Sequence, residues 1–168
     1  MHQRIARVRW TARGLALFGI SALVLAAFWS AASAAPPPAT RTFTMAAVEP
    51  KGGTTVDKEP FPRDPLPEGK GYVLKEPDPK TGRWEVSTYR WEPSQIVVYQ
   101  GDTVVLEILG VNGDVHPSRI EGYVPGFVVR RGHLTRLTFT ADKAGFFTIE
   151  CTTHHSSMVG TLVVLPRQ

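Results

Sequence analysis

Short apolar runs rich in β-branched and aromatic residues fill the second half of the chain, and turn signals separate them. In several runs apolar and polar side chains alternate, so that Phe147, Ile149 and Cys151 share one face of "FTIEC". A period of two with one apolar face is typical of strands buried on one side, and no helix of ordinary length is indicated. We therefore predict an all-β fold, a Greek-key β-sandwich of about seven short strands. The predicted strands are WEVSTYRW (84–91), QIVVYQ (95–100), DTVVLEILG (102–110), GFVVRR (126–131), LTRLTFTA (134–141), GFFTIEC (145–151) and GTLVVL (160–165).

The segment 36–82 has a different composition. It contains ten of the fourteen prolines and many charged residues, and it shows no sustained period. This predicts an extended, weakly structured Pro-rich N-terminal segment with at most one short strand, at "TFTMAAV" (42–48). The segment is expected either to lie along the domain surface or to act as a tether. The sandwich domain itself is expected over residues 83–168.

The first 35 residues have the organisation of a targeting segment. Four arginines precede the apolar run "GLALFGISALVLAAFW", and small residues follow with an Ala-Ser-Ala pattern that ends at Ala34. Basic, apolar and small-residue parts in this order predict a secretory signal peptide over residues 1–35. No charge occurs from Gly14 to Thr40, so an uncleaved membrane anchor is the alternative. In both cases the protein is expected to be exported, to the periplasm or an equivalent compartment.

The excess of positive charge belongs to this leader. The whole chain has 19 Lys and Arg against 15 Asp and Glu, and the leader contains four of the arginines and no acid. The rest of the chain is therefore formally neutral. Nucleic-acid binding needs clustered cations that displace counterions from phosphates, so this class of function gains no support.

Four potential metal-binding side chains lie within eight residues, at the end of one predicted strand and in the loop that leads to the last: Cys151, His154, His155 and Met158. A single cysteine in an exported protein cannot form an internal disulfide, so it is a ligating or reactive thiol or the partner of another chain. Alternation places Cys151 on the core face, and the loop after it can gather its side chains around one point. Thiolate, imidazole and thioether form a soft donor set that suits copper, and blue-copper sites use two histidines, one cysteine and a weak axial methionine.

A further imidazole is expected from another part of the chain, and His116 in "DVHPSRI" is the candidate. It follows the predicted strand "DTVVLEILG", whose end can lie at the same pole of a Greek-key sandwich as the Cys151 loop. The remaining histidines are less suitable, because His133 lies in a predicted surface turn and His2 lies in the leader.

The region 84–165 resembles the cupredoxin family. Within that family it is most similar to the copper-binding domain of cytochrome c oxidase subunit II and the C-terminal domain of nitrous oxide reductase. Those domains contain a binuclear CuA centre with the pattern C-x-x-x-C-x-x-x-H-x-x-M and an upstream histidine after a D-V-x-H-like turn. Here Cys151, His155 and Met158 reproduce C-x-x-x-H-x-x-M, and "DVH" supplies His116.

The resemblance implies a ligand set. His116, Cys151 and His155 are expected to be strong copper ligands, with Met158 weak or axial. His154 is the alternative ligand, or a group that contacts a ligand. The plastocyanin-like spacing C-x-x-H would select His154, but the methionine is then one residue too close.

The resemblance also implies one copper ion per chain. The first CuA cysteine is replaced by Phe147, and a binuclear centre needs two bridging thiolates. On this alignment, Phe147→Cys completes the CuA pattern and is expected to give at least partial capacity for a second copper.

The function that this resemblance implies is electron transfer by an exported protein that is not an enzyme, together with a redox partner protein. The alternative is copper handling, as delivery or buffering. Zinc binding, a Cys–His nucleophile and a metal-free sandwich are further alternatives. Methionine is not a usual zinc ligand, and a nucleophile would need an acidic residue that orients its base. Glu150, the nearby acid, alternates to the face opposite Cys151. Membrane contact is expected only if the leader is retained.

Overall fold

A computed structural model describes residues 36–167, so the predicted signal peptide and His2 lie outside the described residues. Residues 37–167 form one compact unit. The described strands are β1 (Thr40–Val48), β2 (Lys51–Thr55), β3 (Tyr72–Lys75), β4 (Arg83–Thr88), β5 (Arg90–Glu92), β6 (Gln95–Tyr99), β7 (Thr103–Gly110), β8 (Val115–Ile120), β9 (Val124–Arg130), β10 (Leu134–Thr140), β11 (Gly145–Cys151) and β12 (Val159–Leu165).

Two sheets form the sandwich, which confirms the predicted all-β architecture. One sheet has the strand order β10-β7-β1-β5 and the other has the order β6-β12-β11-β8-β9. Apolar side chains from both sheets meet in one buried core, which the alternation of each strand directs inward. The largest fully buried side chains are Trp91, Met45, Leu106, Ile108, Ile120, Ile149, Met158 and Leu162.

The seven strands that the sequence pattern predicts are all present. The first is divided at Tyr89 into β4 and β5, and the ends of the others differ from the predicted ends by no more than two residues. The alternation in β11 is confirmed as well. Phe146 is 80% exposed, whereas Ile149 and Cys151 are 0% exposed on the inner face.

The N-terminal segment contributes a strand to the interior of the sandwich, which differs from the predicted extended segment. β1 lies between β5 and β7, and it pairs in parallel with β7 from Thr40↔Thr103 to Ala47↔Gly110. Met45 and Ala47 are fully buried. The sandwich therefore begins with β1 rather than at residue 83. The short strand predicted at residues 42–48 is thus present, but the sequence pattern does not predict its place between β5 and β7.

β8 is a strand that the sequence pattern does not predict, because it contains Pro117 and proline cannot donate a ladder hydrogen bond. β8 pairs with β9 along its length, but it pairs with β11 only from Ser118 onward. Pro117 lies just before that paired stretch, where its carbonyl accepts from the Thr152 N–H at 2.8 Å and no N–H of its own is needed. As a result His116 is a strand residue with a buried side chain, and not a turn residue.

A third sheet of order β2-β4-β3 is built largely from the Pro-rich segment. Gly71, directly before β3, reaches the loop after Cys151, where its carbonyl accepts a hydrogen bond of 2.8 Å from the Ser157 hydroxyl. The N-terminal segment thus contacts the same end of the sandwich as the predicted metal ligands. Within residues 36–167, no helix is long and apolar enough to cross a membrane.

Candidate metal centre

Three potential metal ligands meet at one end of the sandwich: His116 on β8, Cys151 at the end of β11, and His154 in the following loop. The Nδ1 atoms of the two histidines lie 3.3 Å apart. The Cys151 Sγ lies 3.4 Å from the Nδ1 of His154 and 3.9 Å from that of His116. Within residues 36–167, this is the one group of three or more His, Cys, Asp or Glu residues close enough to share a metal ion. We refer to these three residues as the three-donor cluster.

Strand register explains why His116 and Cys151 lie together. Cys151 is paired with Ser118 of β8. His116 precedes Ser118 by two residues in β8, so the side chains of both residues point to the same inner face. Both His116 and Cys151 are 0% exposed. The sequence prediction that these two residues meet at one pole is therefore reproduced in the structure.

The orientation of His116 leaves one ring nitrogen free for a metal. Its Nε2 lies 2.7 Å from the backbone carbonyl of Asn112. A carbonyl only accepts, so Nε2 carries the proton and Nδ1 directs a lone pair at the cluster. Gly113 (φ 74°) makes this approach possible, because an added Cβ would lie 2.6 Å from two atoms of the His116 ring.

His154 is half-buried, and its ring stacks on Tyr89 with centroids 4.0 Å apart and planes inclined by 25°. Burial, and then the neighbouring His116, lower the pKa of His154 below its ordinary value of 6.5. The imidazole is therefore neutral at pH 7, and a neutral ring is the form that binds metals.

Met158 closes the loop that contains His154. Its backbone N–H donates to the carbonyl of His154 at 2.8 Å, and its carbonyl accepts from the N–H of Cys151 at 3.0 Å. The Met158 side chain is fully buried in the same core as Cys151. Two backbone hydrogen bonds thus join Met158 to Cys151 and His154, and its side chain lies in the core.

The adjacent histidine, His155, is the one that the CuA-like spacing predicts as a ligand, and the structure places it elsewhere. It is exposed, and its ring lies against Gly69 on the outer side of the loop. Residues 154–158 form a tight turn, in which neighbouring side chains point to different sides. Only one histidine of the pair can then face Cys151. The structure assigns that position to His154, the alternative left open by the spacing, so the predicted ligand is corrected from His155 to His154.

The distances in the three-donor cluster fit a shared metal ion. Two atoms bound to one ion at about 2.0–2.3 Å lie roughly 3.2–4.0 Å apart when the angle between them is about 105–130°. The three separations of 3.3, 3.4 and 3.9 Å fall in this range. The residues present therefore fit one ion with two nitrogen ligands and one sulfur ligand.

The site offers no support for a Cys–His nucleophile. Glu150 is directed away from Cys151 and forms an ion pair of 2.6 Å with Arg119 on the outer face of the sheet. Glu150 therefore faces away from Cys151, as its alternation predicts, and does not orient a histidine of the cluster. His133 is exposed in its turn, as predicted, and lies outside the cluster.

The residues around the ligands include several that sequence reasoning missed. Tyr89, Asn112 and Gly113 contact the histidine rings, and Glu49 and Ser157 hold these neighbours in place. They come from distant parts of the chain and share no motif. The turn signal Asn112-Gly113 is the one local indication among them.

Comparisons with known proteins support the fold. No protein-family model matches the chain, and no curated protein matches it in sequence. A solved copper nitrite reductase from Nitrosomonas europaea matches with a TM-score of 0.50 and 18% identity, over 77% of this chain and 42% of that chain. A multicopper oxidase, mgLAC, matches with a TM-score of 0.49 and 19% identity, over 77% of this chain and 40% of that chain. This chain therefore spans about two fifths of the length of either protein.

Residues 36–167 thus form a cupredoxin-like β-sandwich with a His–Cys–His group at one pole, in which His116 and Cys151 are buried and His154 is half-buried. Likeness to the CuA domains in particular stays a prediction.

Proposed function

We propose that the protein binds one copper ion, which His116, Cys151 and His154 would hold with Met158 as a weak further ligand, and that it transfers electrons. The observation that carries this proposal is the arrangement of two imidazole Nδ1 atoms and one thiol within 3.3–3.9 Å of one another. A bound copper ion would supply one-electron redox chemistry, because Cu(I) prefers sulfur, Cu(II) prefers nitrogen, and this set is a compromise between them.

The burial of the donors favours an electron carrier over a delivery protein. His116, Cys151 and Met158 are 0% exposed, and Tyr89 covers one face of His154. A metal held there is enclosed by the core and the loop, so its release to another protein would require the loop to open. A carrier keeps its ion bound and needs no such opening. Copper delivery or buffering remains the second candidate function.

The wider context follows from the sequence and belongs to the same proposal. The protein acts outside the cytoplasm after export by its N-terminal leader, and it exchanges electrons with a redox partner protein. We propose a role as a carrier and not as an enzyme.

The test is copper loading of the purified domain, followed by visible and EPR spectroscopy. The expected result is one copper per chain, an intense thiolate-to-copper absorption band and reversible oxidation and reduction with the ion retained. Cys151→Ser should abolish the band while the metal-free variant still folds. A wild-type protein without the band, or one that prefers Zn²⁺ and shows no redox cycle, would contradict the proposal. Rapid loss of the ion on reduction would favour copper delivery.

A further inference from the structure

Tyr89 is placed against both histidines of the three-donor cluster, although it is not a ligand. It lies between β4 and β5, and its ring stacks on His154 at 4.0 Å and 25°. The same ring meets the His116 ring edge-on, with centroids 5.7 Å apart. Offset stacked and edge-to-face contacts are the favourable geometries of ring pairs. One side chain therefore restricts the rotation of two candidate ligands.

Tyr89 is itself fixed to the loop that contains His154. Its N–H donates to the Gly71 carbonyl at 2.9 Å, and its carbonyl accepts from the Ser157 hydroxyl at 2.7 Å. Gly71 has no room for a side chain, because an added Cβ would lie 2.4 Å from the Ser157 Oγ. The ligand loop is thus hydrogen-bonded through Ser157 to Gly71, which precedes β3, and to Tyr89, which follows β4.

The end of β1 supports the other histidine from the same side. The Glu49 N–H donates to the Asn112 side-chain oxygen at 3.1 Å, and the Asn112 carbonyl holds the Nε2 of His116. The Glu49 carboxylate also lies beside the Tyr89 phenol: burial, and then the charge of Glu49, raise the pKa of Tyr89 above its ordinary value. Glu49 therefore contacts a neighbour of each histidine ring: Asn112 beside His116 and Tyr89 beside His154.

We propose that Tyr89 is a positioning residue, whose ring holds the His154 imidazole in the orientation that binds the metal. His154 lies in a loop, where an isolated side chain would sample several rotamers and would lose that freedom on binding. Packing against Tyr89 removes the freedom in advance. Outer contacts of this kind orient ligands in metal sites generally, and their loss typically weakens metal binding or activity about 10–100-fold. This inference rests on the proposed copper site.

The experiment compares Tyr89→Leu, which removes the ring, with Tyr89→Phe, which keeps it and removes the hydroxyl. The matched control is Tyr123→Leu: Tyr123 is a half-buried tyrosine that packs against Phe147 and Phe139, in the part of the core lined by the start of β11. Each protein is loaded with copper alone. The visible spectrum, the EPR hyperfine splitting, the reduction potential and the rate of copper removal by a chelator are then measured.

Tyr89→Leu should change the spectrum and the potential and accelerate copper removal about tenfold or more, whereas Tyr89→Phe should stay within about twofold of the wild type. Tyr123→Leu should lower the unfolding temperature of the metal-free protein and leave the copper spectrum unchanged. A purely structural role for Tyr89 would instead make both leucine variants equal in spectrum and potential. Wild-type values for Tyr89→Leu would overturn the proposal.

A second measurement does not depend on the folding of a variant. In the metal-free wild-type protein, the stacked Tyr89 ring should shift the His154 ring-proton NMR resonances upfield relative to those of exposed His155 and His133. Unshifted His154 resonances would refute the positioning role. If the wild type lacks a copper band but shows the upfield shift, the proposed function is contradicted and the stacking itself stands.

Discussion

β1 and β7 run side by side through the sandwich, and buried polar side chains lie near both ends of this strand pair. The two groups differ in whether the chain itself supplies their binding partners. The pair extends from Thr40↔Thr103 to Ala47↔Gly110. At about 3.3 Å per residue its ends lie roughly 23 Å apart. Asp102 lies at the first end, and Asn112, which holds His116, lies just beyond the second.

At the first end the acceptors of Asp102 are matched by donors of the protein. Its carboxylate is 0% exposed and accepts from Arg41 at 2.5 Å and Arg167 at 2.6 Å. It also accepts from the backbone N–H groups of Ala39 and Tyr99, both at 3.0 Å. We call these residues the Asp102 clasp. A buried charge that is paired and hydrogen-bonded on all sides needs no ligand.

At the second end the potential ligand atoms of the three-donor cluster face one another. The protein directs the Nδ1 of His116 at the cluster, beside the His154 Nδ1 and the Cys151 Sγ. The comparison shows how a structural polar cluster differs from a binding site. The clasp is complete within the chain, whereas the second end directs three potential ligand atoms at one point, where the proposed metal ion would complement them.

The largest effect is expected from the loss of one potential ligand of the three-donor cluster. His154→Ala should abolish the absorption band of the copper-loaded protein, because the cluster then retains one imidazole and the thiol. His155→Ala, the matched control one residue away, should leave the band intact because that ring is exposed. Visible and EPR spectra of both copper-loaded variants show which of the two histidines is the ligand. The opposite outcome would restore the CuA-like spacing as the correct alignment.

Breaking the clasp should affect stability and leave the metal end unchanged. Asp102→Ala leaves two guanidinium groups and two backbone donors without their acceptor, and removal of one partner of a buried ion pair costs about 3–5 kcal/mol. Urea unfolding of the metal-free protein measures this cost. Glu107→Ala, which removes the exposed pair with Arg136, should cost about 1 kcal/mol or less. An Asp102→Ala protein with an altered copper spectrum would show that the two ends are coupled.

Sequence reasoning found the parts of the molecule that depend on local pattern. The alternation of Phe147, Ile149 and Cys151 correctly predicts β11 and its buried face. His116 was found because its residue type follows a strand end, although it proved to lie on β8. The strand at residues 42–48 was also found, as β1, but its place inside the sandwich was not, and β8 was missed because it contains Pro117.

The choice between His154 and His155 was beyond the reach of spacing, because the direction of each side chain is set by the turn that Met158 closes. The supports of the cluster were also out of reach. Tyr89 contacts the histidines and Glu49 contacts Asn112 across segments that are distant in the sequence, and such contacts are not encoded in a local motif. Copper itself, export and the redox partner remain predictions.

The clasp should also give the protein a weak dependence of stability on acid. Burial alone raises the pKa of Asp102, but hydrogen bonds from Arg41 and from the N–H groups of Tyr99 and Ala39 outweigh it and lower the pKa from 3.8 to about 2. A carboxylate with a depressed folded-state pKa stabilises the fold above the unfolded-state pKa. Its contribution, on the order of 1–2 kcal/mol, is lost as the pH falls from about 4 to about 2.

Urea unfolding between pH 2 and pH 6 measures this dependence, with Asp102→Asn as the variant that cannot titrate. The difference in unfolding free energy between wild type and variant should shrink as the pH falls through this window. If the difference in unfolding free energy between wild type and Asp102→Asn does not change with pH, the clasp is not the origin of the acid dependence.

The smallest effect on the metal end is expected from Phe147→Cys, although the CuA pattern predicts a second copper for it. The structure changes that expectation. Phe147 lies inside β11, four residues before Cys151, and at about 3.3 Å per residue the two positions are roughly 13 Å apart. Its ring packs edge-on against Tyr123 at 4.8 Å, away from the three-donor cluster. Two thiolates bridge two coppers only when both contact both ions, and this separation prevents it.

Copper analysis with EPR should therefore give one copper per chain for Phe147→Cys, as for the wild type and for the control Phe146→Cys, whose side chain faces outward. Two coppers per chain in the Phe147 variant alone would mean that β11 unwinds at its end to form a longer ligand loop.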